Sequence, residues 1–164
     1  MNRKILTIFL ILILFGCNNG TEPVDKYPPD NHKLVTINHG LWGNVWYWSG
    51  SFQPFSWGTI TGVSKTLYFY ELTPVDSADV DNGDYYKAVH STLVDSVKSQ
   101  TNGFYQIDLA PGNYSIFTRD NNLYYANRIN LLDSIDSTEY IQPVIIYPDS
   151  LEYLVVNLTN DALF

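Results

Sequence analysis

The residues able to do chemistry are few and scattered. The three histidines, His32, His39 and His90, fall in neither His-x-x-Glu nor His-x-x-x-His spacing, so no metallopeptidase-type zinc site is expected. The chain has one cysteine, Cys17, which excludes an internal disulfide and a Cys-based structural zinc site. No Gly-x-Ser-x-Gly elbow and no phosphate-binding glycine loop occurs. The densest group of carboxylates is Asp76, Asp79, Asp81 and Asp84. Calcium takes six to eight oxygen ligands, and these four are its only candidate set here. Counted from Asp79, however, Gly83 falls at position 5, where an EF-hand loop needs its glycine at 6. The stretch reads better as a solvated loop. No metal and no other cofactor is expected, and the chain is not expected to be an enzyme.

Two further patterns concern attachment and recognition. Asp-Ser occurs five times, at Asp76-Ser77, Asp95-Ser96, Asp133-Ser134, Asp136-Ser137 and Asp149-Ser150. Composition alone predicts about one. Each pair precedes Ala, Val, Ile, Thr or Leu, which is similar to the Asp-Ser/Thr-apolar acceptor for O-glycosylation in the envelope of Bacteroidetes-type bacteria. Ser77, Ser134, Ser137 and Ser150 are the candidate acceptors, and turn chemistry is the plainer reading of the same pairs. The second pattern is Leu41-Trp42-Gly43-Asn44-Val45-Trp46-Tyr47-Trp48. In a strand, side chains alternate between faces. With Leu41, Val45 and Tyr47 inward, Trp42, Trp46 and Trp48 face the other way, and Trp46 and Trp48 stand about 7 Å apart. Phe52, Phe55 and Trp57 follow at once. Such rings stack on sugars or anchor protein interfaces, so these six are the candidate binding surface. Burial of the tryptophans under the core or under loop 49–60 is the competing expectation.

The N-terminus reads as an address. Arg3 and Lys4 precede an apolar run from Ile5 to Phe15, interrupted only by Thr7. That is too short to span a bilayer, which takes about 20 residues, and suits a signal-peptide core. Leu14-Phe15-Gly16-Cys17 resembles a bacterial lipobox, in which the cysteine is lipidated after cleavage. The resemblance implies a signal peptide over 1–16, a lipid anchor on Cys17 and, with Asn18 next, an outer-membrane lipoprotein of the cell envelope. Removal of Arg3 and Lys4 takes the formal charge from −8 to −10. So acidic a chain is poorly suited to a phosphate backbone, and no nucleic-acid partner is expected.

Residues 17–35 are polar, carry Pro23, Pro28 and Pro29, and read as a tether. The folded domain is expected over 36–164. Strand signals recur at Leu41–Trp48, Ser64–Leu72, Leu93–Ser99, Phe104–Leu109, Asn113–Thr118, Leu123–Ile129, Tyr140–Tyr147 and Leu151–Leu158, with Asn102-Gly103 predicting a type I′ hairpin and Pro111-Gly112 a type II turn. Tyr86, Val89, His90 and Leu93 share a helical face, so Tyr85–Leu93 is expected to form one or two helical turns. About 125 residues of this kind predict one all-β sandwich of seven or eight strands.

Val97 to Phe117 (V-K-S-Q-T-N-G-F-Y-Q-I-D-L-A-P-G-N-Y-S-I-F) resembles the signature of carboxypeptidase regulatory-like, or transthyretin-like, domains. Asn102-Gly103 matches its turn, and Leu109, Pro111, Gly112 and Tyr114 match its Leu-x-Pro-Gly-x-Tyr motif. Gly40-Leu41-x-Gly43-x-Val45 looks like the family's opening strand, and Leu67–Glu71 like its second. The resemblance implies a Greek-key sandwich, in which Tyr114 tucks under the turn and bonds through its hydroxyl as a corner tyrosine does. It imports no peptidase chemistry. Transthyretin-like hydrolases of purine catabolism carry paired histidines, an arginine and a closing Tyr-Arg-Gly-Ser, whereas this chain closes Asp161-Ala162-Leu163-Phe164. The expectation is therefore a non-catalytic lipoprotein whose sandwich binds a carbohydrate or an envelope protein. The alternatives are a structural accessory subunit of an envelope complex and, least favoured, an enzyme with an unrecognised site.

Overall fold

The structure is a computed structural model and describes residues 31–131 and 137–164. Cys17, the signal-like segment and Ser134 lie outside those residues. The described chain forms thirteen strands: β1 (Gly40–Ser51), β2 (Thr59–Gly62), β3 (Thr66–Glu71), β4 (Ala78–Asn82), β5 (Tyr85–Val89), β6 (Leu93–Lys98), β7 (Phe104–Ile107), β8 (Gly112–Asp120), β9 (Leu123–Tyr125), β10 (Ile129–Leu131), β11 (Glu139–Ile141), β12 (Pro143–Ile146) and β13 (Leu151–Leu163). Two short 3₁₀ turns, His32–Leu34 and Val75–Ser77, are the helical elements among the described residues. The fold is all-β, as the strand signals predict, and its sheets pack as a sandwich, with thirteen strands in place of the seven or eight expected.

One sheet is built around β1. Its first edge runs parallel to β13 over the whole length. Its second edge is shared end to end: β7 pairs with Leu41–Asn44, and β2 pairs with Trp46–Ser49. At the handover the Val45 amide donates to the Gly103 carbonyl (2.8 Å), and the Val45 carbonyl accepts from the Val63 amide (3.1 Å). No backbone group of Val45 is stranded between the two partners. The other sheet has the order β4-β5-β9-β8-β3-β6, with β12 lying along β8 beside β9. Between the sheets pack Leu41 and Val45 of β1, Val156 and Leu158 of β13, and Leu67, Phe69 and Ile116 of the facing strands, all buried. A second cluster, with Tyr70, Tyr86, Phe117 and Ile141, covers the outer face of the β3–β8 sheet. Five consecutive residues of β8, Tyr114 to Thr118, are therefore buried, because both of its faces are covered.

Several local expectations change. Tyr85–Leu93 is not helical: Tyr85–Val89 is strand β5, joined to β4 through Gly83 at φ +56°. Tyr85 and Tyr86 pair with Tyr125 and Tyr124 of β9, and this cross-strand pairing outweighs a helical spacing over nine residues. Of the four aspartates expected on a loop, Asp79 and Asp81 lie on β4, while Asp76 sits in the 3₁₀ turn before it and Asp84 in the turn after it. Asn102-Gly103 does not close a hairpin within one sheet. It carries the chain from β6 in one sheet to β7 in the other, with Gly103 alone of the pair at positive φ (+87°). Gly112 is not in the left-handed region that a type II turn asks of it. Its missing side chain makes room for Tyr114, whose hydroxyl lies 3.2 Å from where a Cβ would stand. The span Tyr140–Tyr147 breaks at Gln142, φ +38°, into β11 and β12, and Leu123–Ile129 leaves strand geometry after Tyr125. Tyr114 behaves as expected: its hydroxyl donates to the Ala110 carbonyl at 2.9 Å.

Candidate recognition surface

Strand β1 presents its two faces as the alternation predicts. Leu41 and Val45 enter the core, while Trp42, Asn44, Trp46 and Trp48 face away from it. That second face is partly covered. Trp42 is only 8% exposed, with its ring centroid 4.5 Å from that of its cross-strand partner Tyr153 and 5.3 Å, edge to face, from that of His32. Asn44 is fully buried, and its side-chain oxygen accepts from Asn31 Nδ2. Asn31 in turn accepts from Asn102 Nδ2 (3.1 Å), which ties the start of the described chain to the 100–103 turn. The end of the tether thus closes over the N-terminal half of β1. Trp42 belongs to this packed region and is not available as a contact.

The C-terminal half of β1 differs. Trp46 and Trp48 are half-buried. Trp48 Nε1 donates to Asn157 Oδ1 (2.9 Å), which fixes the indole plane, and its ring lies 5.1 Å from Phe52 and 6.2 Å from Phe164. Phe52 and Phe164 stack at 5.7 Å. Phe52 crosses the backbone of Gly58 so closely that a Cβ there would stand 2.2 Å from the ring. The loop over these rings is held by Ser56, whose hydroxyl meets Ser51 Oγ and the Gln53 carbonyl, both at 2.8 Å. At its crest Phe55 adopts φ +68° and has no burial at all, and Trp57 is 85% exposed. Leu163 and Phe164 are exposed beside them. A bulky residue in the left-handed region costs about 1 kcal/mol or more, and such strain clusters at functional sites. The ordered underlayer and the two projecting rings make an aromatic tip at one end of the sandwich.

The other sequence candidates are dispersed. Asp79 meets His90 Nε2 at 3.0 Å, Asp81 meets Lys87 Nζ at 3.0 Å, and Asp76 accepts from Ser77. Among the described residues no group of three or more His, Cys, Asp or Glu side chains is arranged to hold a metal ion. Ser77 lies in the second 3₁₀ turn and Ser137 is exposed. The Ser150 hydroxyl meets the Tyr147 carbonyl (2.9 Å) and Glu152 (2.8 Å), as the turn reading of Asp-Ser predicts.

A cleft of about 260 Å³, invisible to motif reasoning, opens between the sheets, its lining largely apolar with charged groups at its walls. Tyr47 and Asp161 line it from the β1–β13 sheet, and Lys65, Asp120 and Tyr125 from the other. Lys65 Nζ pairs with Asp120 Oδ1 at 3.0 Å, the Tyr85 hydroxyl donates to Asp120 Oδ2 at 3.4 Å, and the Tyr47 hydroxyl donates to Asp161 Oδ2. The Tyr47 phenol is raised above its ordinary value chiefly by its bond to Asp161, and secondarily by burial. Burial, followed by the charge of Asp120, pushes Tyr85 up to about 12. These residues lie tens of positions apart with no shared spacing, so only the packing of the two sheets reveals them.

No protein-family model, no curated protein and no solved structure matches this chain.

Proposed function

We propose that the chain is a non-catalytic recognition module of an envelope-anchored lipoprotein, with the aromatic tip as its contact surface and a polysaccharide as its partner. The observation that carries this reading is the pair Phe55 and Trp57, projected into solvent from a loop braced on the Trp48–Phe52–Phe164 cluster. Rigid aromatic rings offer large contact area at small entropic cost, and their faces match the apolar faces of sugar rings. The corner bond of Tyr114 supports the carboxypeptidase regulatory-like reading of Leu109 to Tyr114, a fold-level likeness that implies no chemistry.

The test is binding of the full chain to a panel of insoluble and soluble polysaccharides, beside a Phe55→Ala/Trp57→Ala variant. Both rings are exposed, so the variant should keep the parent's thermal unfolding midpoint and lose about tenfold or more in affinity. If the parent binds no polysaccharide but captures an envelope protein through the same rings, the sugar reading fails and a protein-docking module replaces it. The anchor is tested separately. Cys17→Ser should move the protein from the membrane to the soluble fraction and abolish acyl labelling, since firm anchoring takes two or more chains on one site.

A further inference from the structure

We infer that the cleft between Asp120 and Asp161 is a second binding site, selective for a small ligand bearing a primary ammonium group. This goes beyond the recognition surface above and uses none of its rings.

The inference follows from hydrogen-bond arithmetic. Four donor groups at the cleft are engaged internally. Lys65 is paired with Asp120, the Tyr47 hydroxyl with Asp161, the Tyr85 hydroxyl with Asp120, and the Thr118 hydroxyl with the Tyr125 carbonyl (3.4 Å). Each carboxylate offers about four lone-pair directions, so acceptor capacity is left over on both walls. One ammonium against two carboxylates leaves the cleft one negative charge in excess. A ligand that fits must supply donors and positive charge in a compact head, and an ammonium group, three donors with no acceptor, does both. Tyr47 and Tyr125 also line the space, and phenol rings attract cations. The volume is at the small end of ligand sites, which suits an aliphatic amine or a lysine side chain. The chain's formal charge of −8 draws cations toward it.

The probe is 1,4-diaminobutane, titrated into the full chain at low salt by calorimetry and by amide NMR, with 1,4-butanediol as the neutral isostere. The diamine should shift the amides of Lys65, Asp120, Asn160 and Asp161, and the diol should not. Asp161→Asn should weaken the diamine about tenfold. Lys65→Met, which releases Asp120 from its internal partner, should tighten it. The opposite signs separate recognition from damage to the fold, and Phe55→Ala/Trp57→Ala should bind the diamine as the parent does. An equal response to the diol, no response to the diamine, or unchanged affinity in both cleft variants overturns the inference. Calcium chloride producing the same shifts more tightly than the diamine also overturns it, in favour of a metal site.

Discussion

Phe55 sits in a backbone conformation that glycine adopts without penalty, yet its side chain touches nothing that would repay the strain. Phe55→Gly should therefore leave the fold intact and raise stability by about 1 kcal/mol in urea unfolding, while polysaccharide binding falls. Stability and recognition moving in opposite directions would mark the residue as kept for contact. At this scale the sequence is a partial guide. The alternation along 41–48 correctly separates Leu41 and Val45 from Trp42, Trp46 and Trp48, because a period of two needs no tertiary information. It is silent on Asn31 and His32 folding over Trp42, which depends on where a tether lands. It is equally silent on Asp120 and Asp161 facing one cleft, because only sheet packing brings them together.

Strand β1 and its parallel neighbour β13 approach so closely that a Cβ on Gly43 would stand 1.8 Å from the Leu154 carbonyl oxygen. Tyr105, fully buried, uses the same gap, and its hydroxyl donates to that carbonyl at 2.9 Å. Gly43→Ala pushes both groups away at once and should cost about 3 kcal/mol or more, read as a fall in the urea midpoint or as loss of soluble protein. Element assignments from sequence fail where segments are short. Over Tyr85–Leu93 a helical face and a strand are both consistent with the apolar positions, and the decision belongs to Tyr124 and Tyr125, some forty residues on. Elements with their own punctuation are legible: the run into Pro111-Gly112 and the strand after it appear where the sequence puts them, and Tyr114 finds Ala110 four residues back.

Across the whole molecule, phenols are a collective liability at high pH. Tyr47, Tyr70, Tyr85, Tyr86 and Tyr105 are all raised above the ordinary phenol value of about 10, with burial the leading cause in every case but Tyr47. The folded state thus favours the protonated phenol more than the unfolded chain does. The stability this contributes is fully present below about pH 10 and is lost as pH rises from there through about 12, where Tyr85 titrates in the folded state. Urea midpoints should be flat approaching pH 10 and fall steeply above it, with phenolate absorbance rising cooperatively on unfolding. Tyr85→Phe should shallow that fall.

The long parallel pairing of β1 with β13 has a consequence in time. Gly40 meets Leu151, about 110 residues later, and the pairing continues to Ser51 and Leu163. Closing so large a loop is slow, and the β1–β13 edge of the first sheet cannot form before the last strand is present. During synthesis β1 emerges with β13 still to be made, so this edge of the first sheet is the last to be completed.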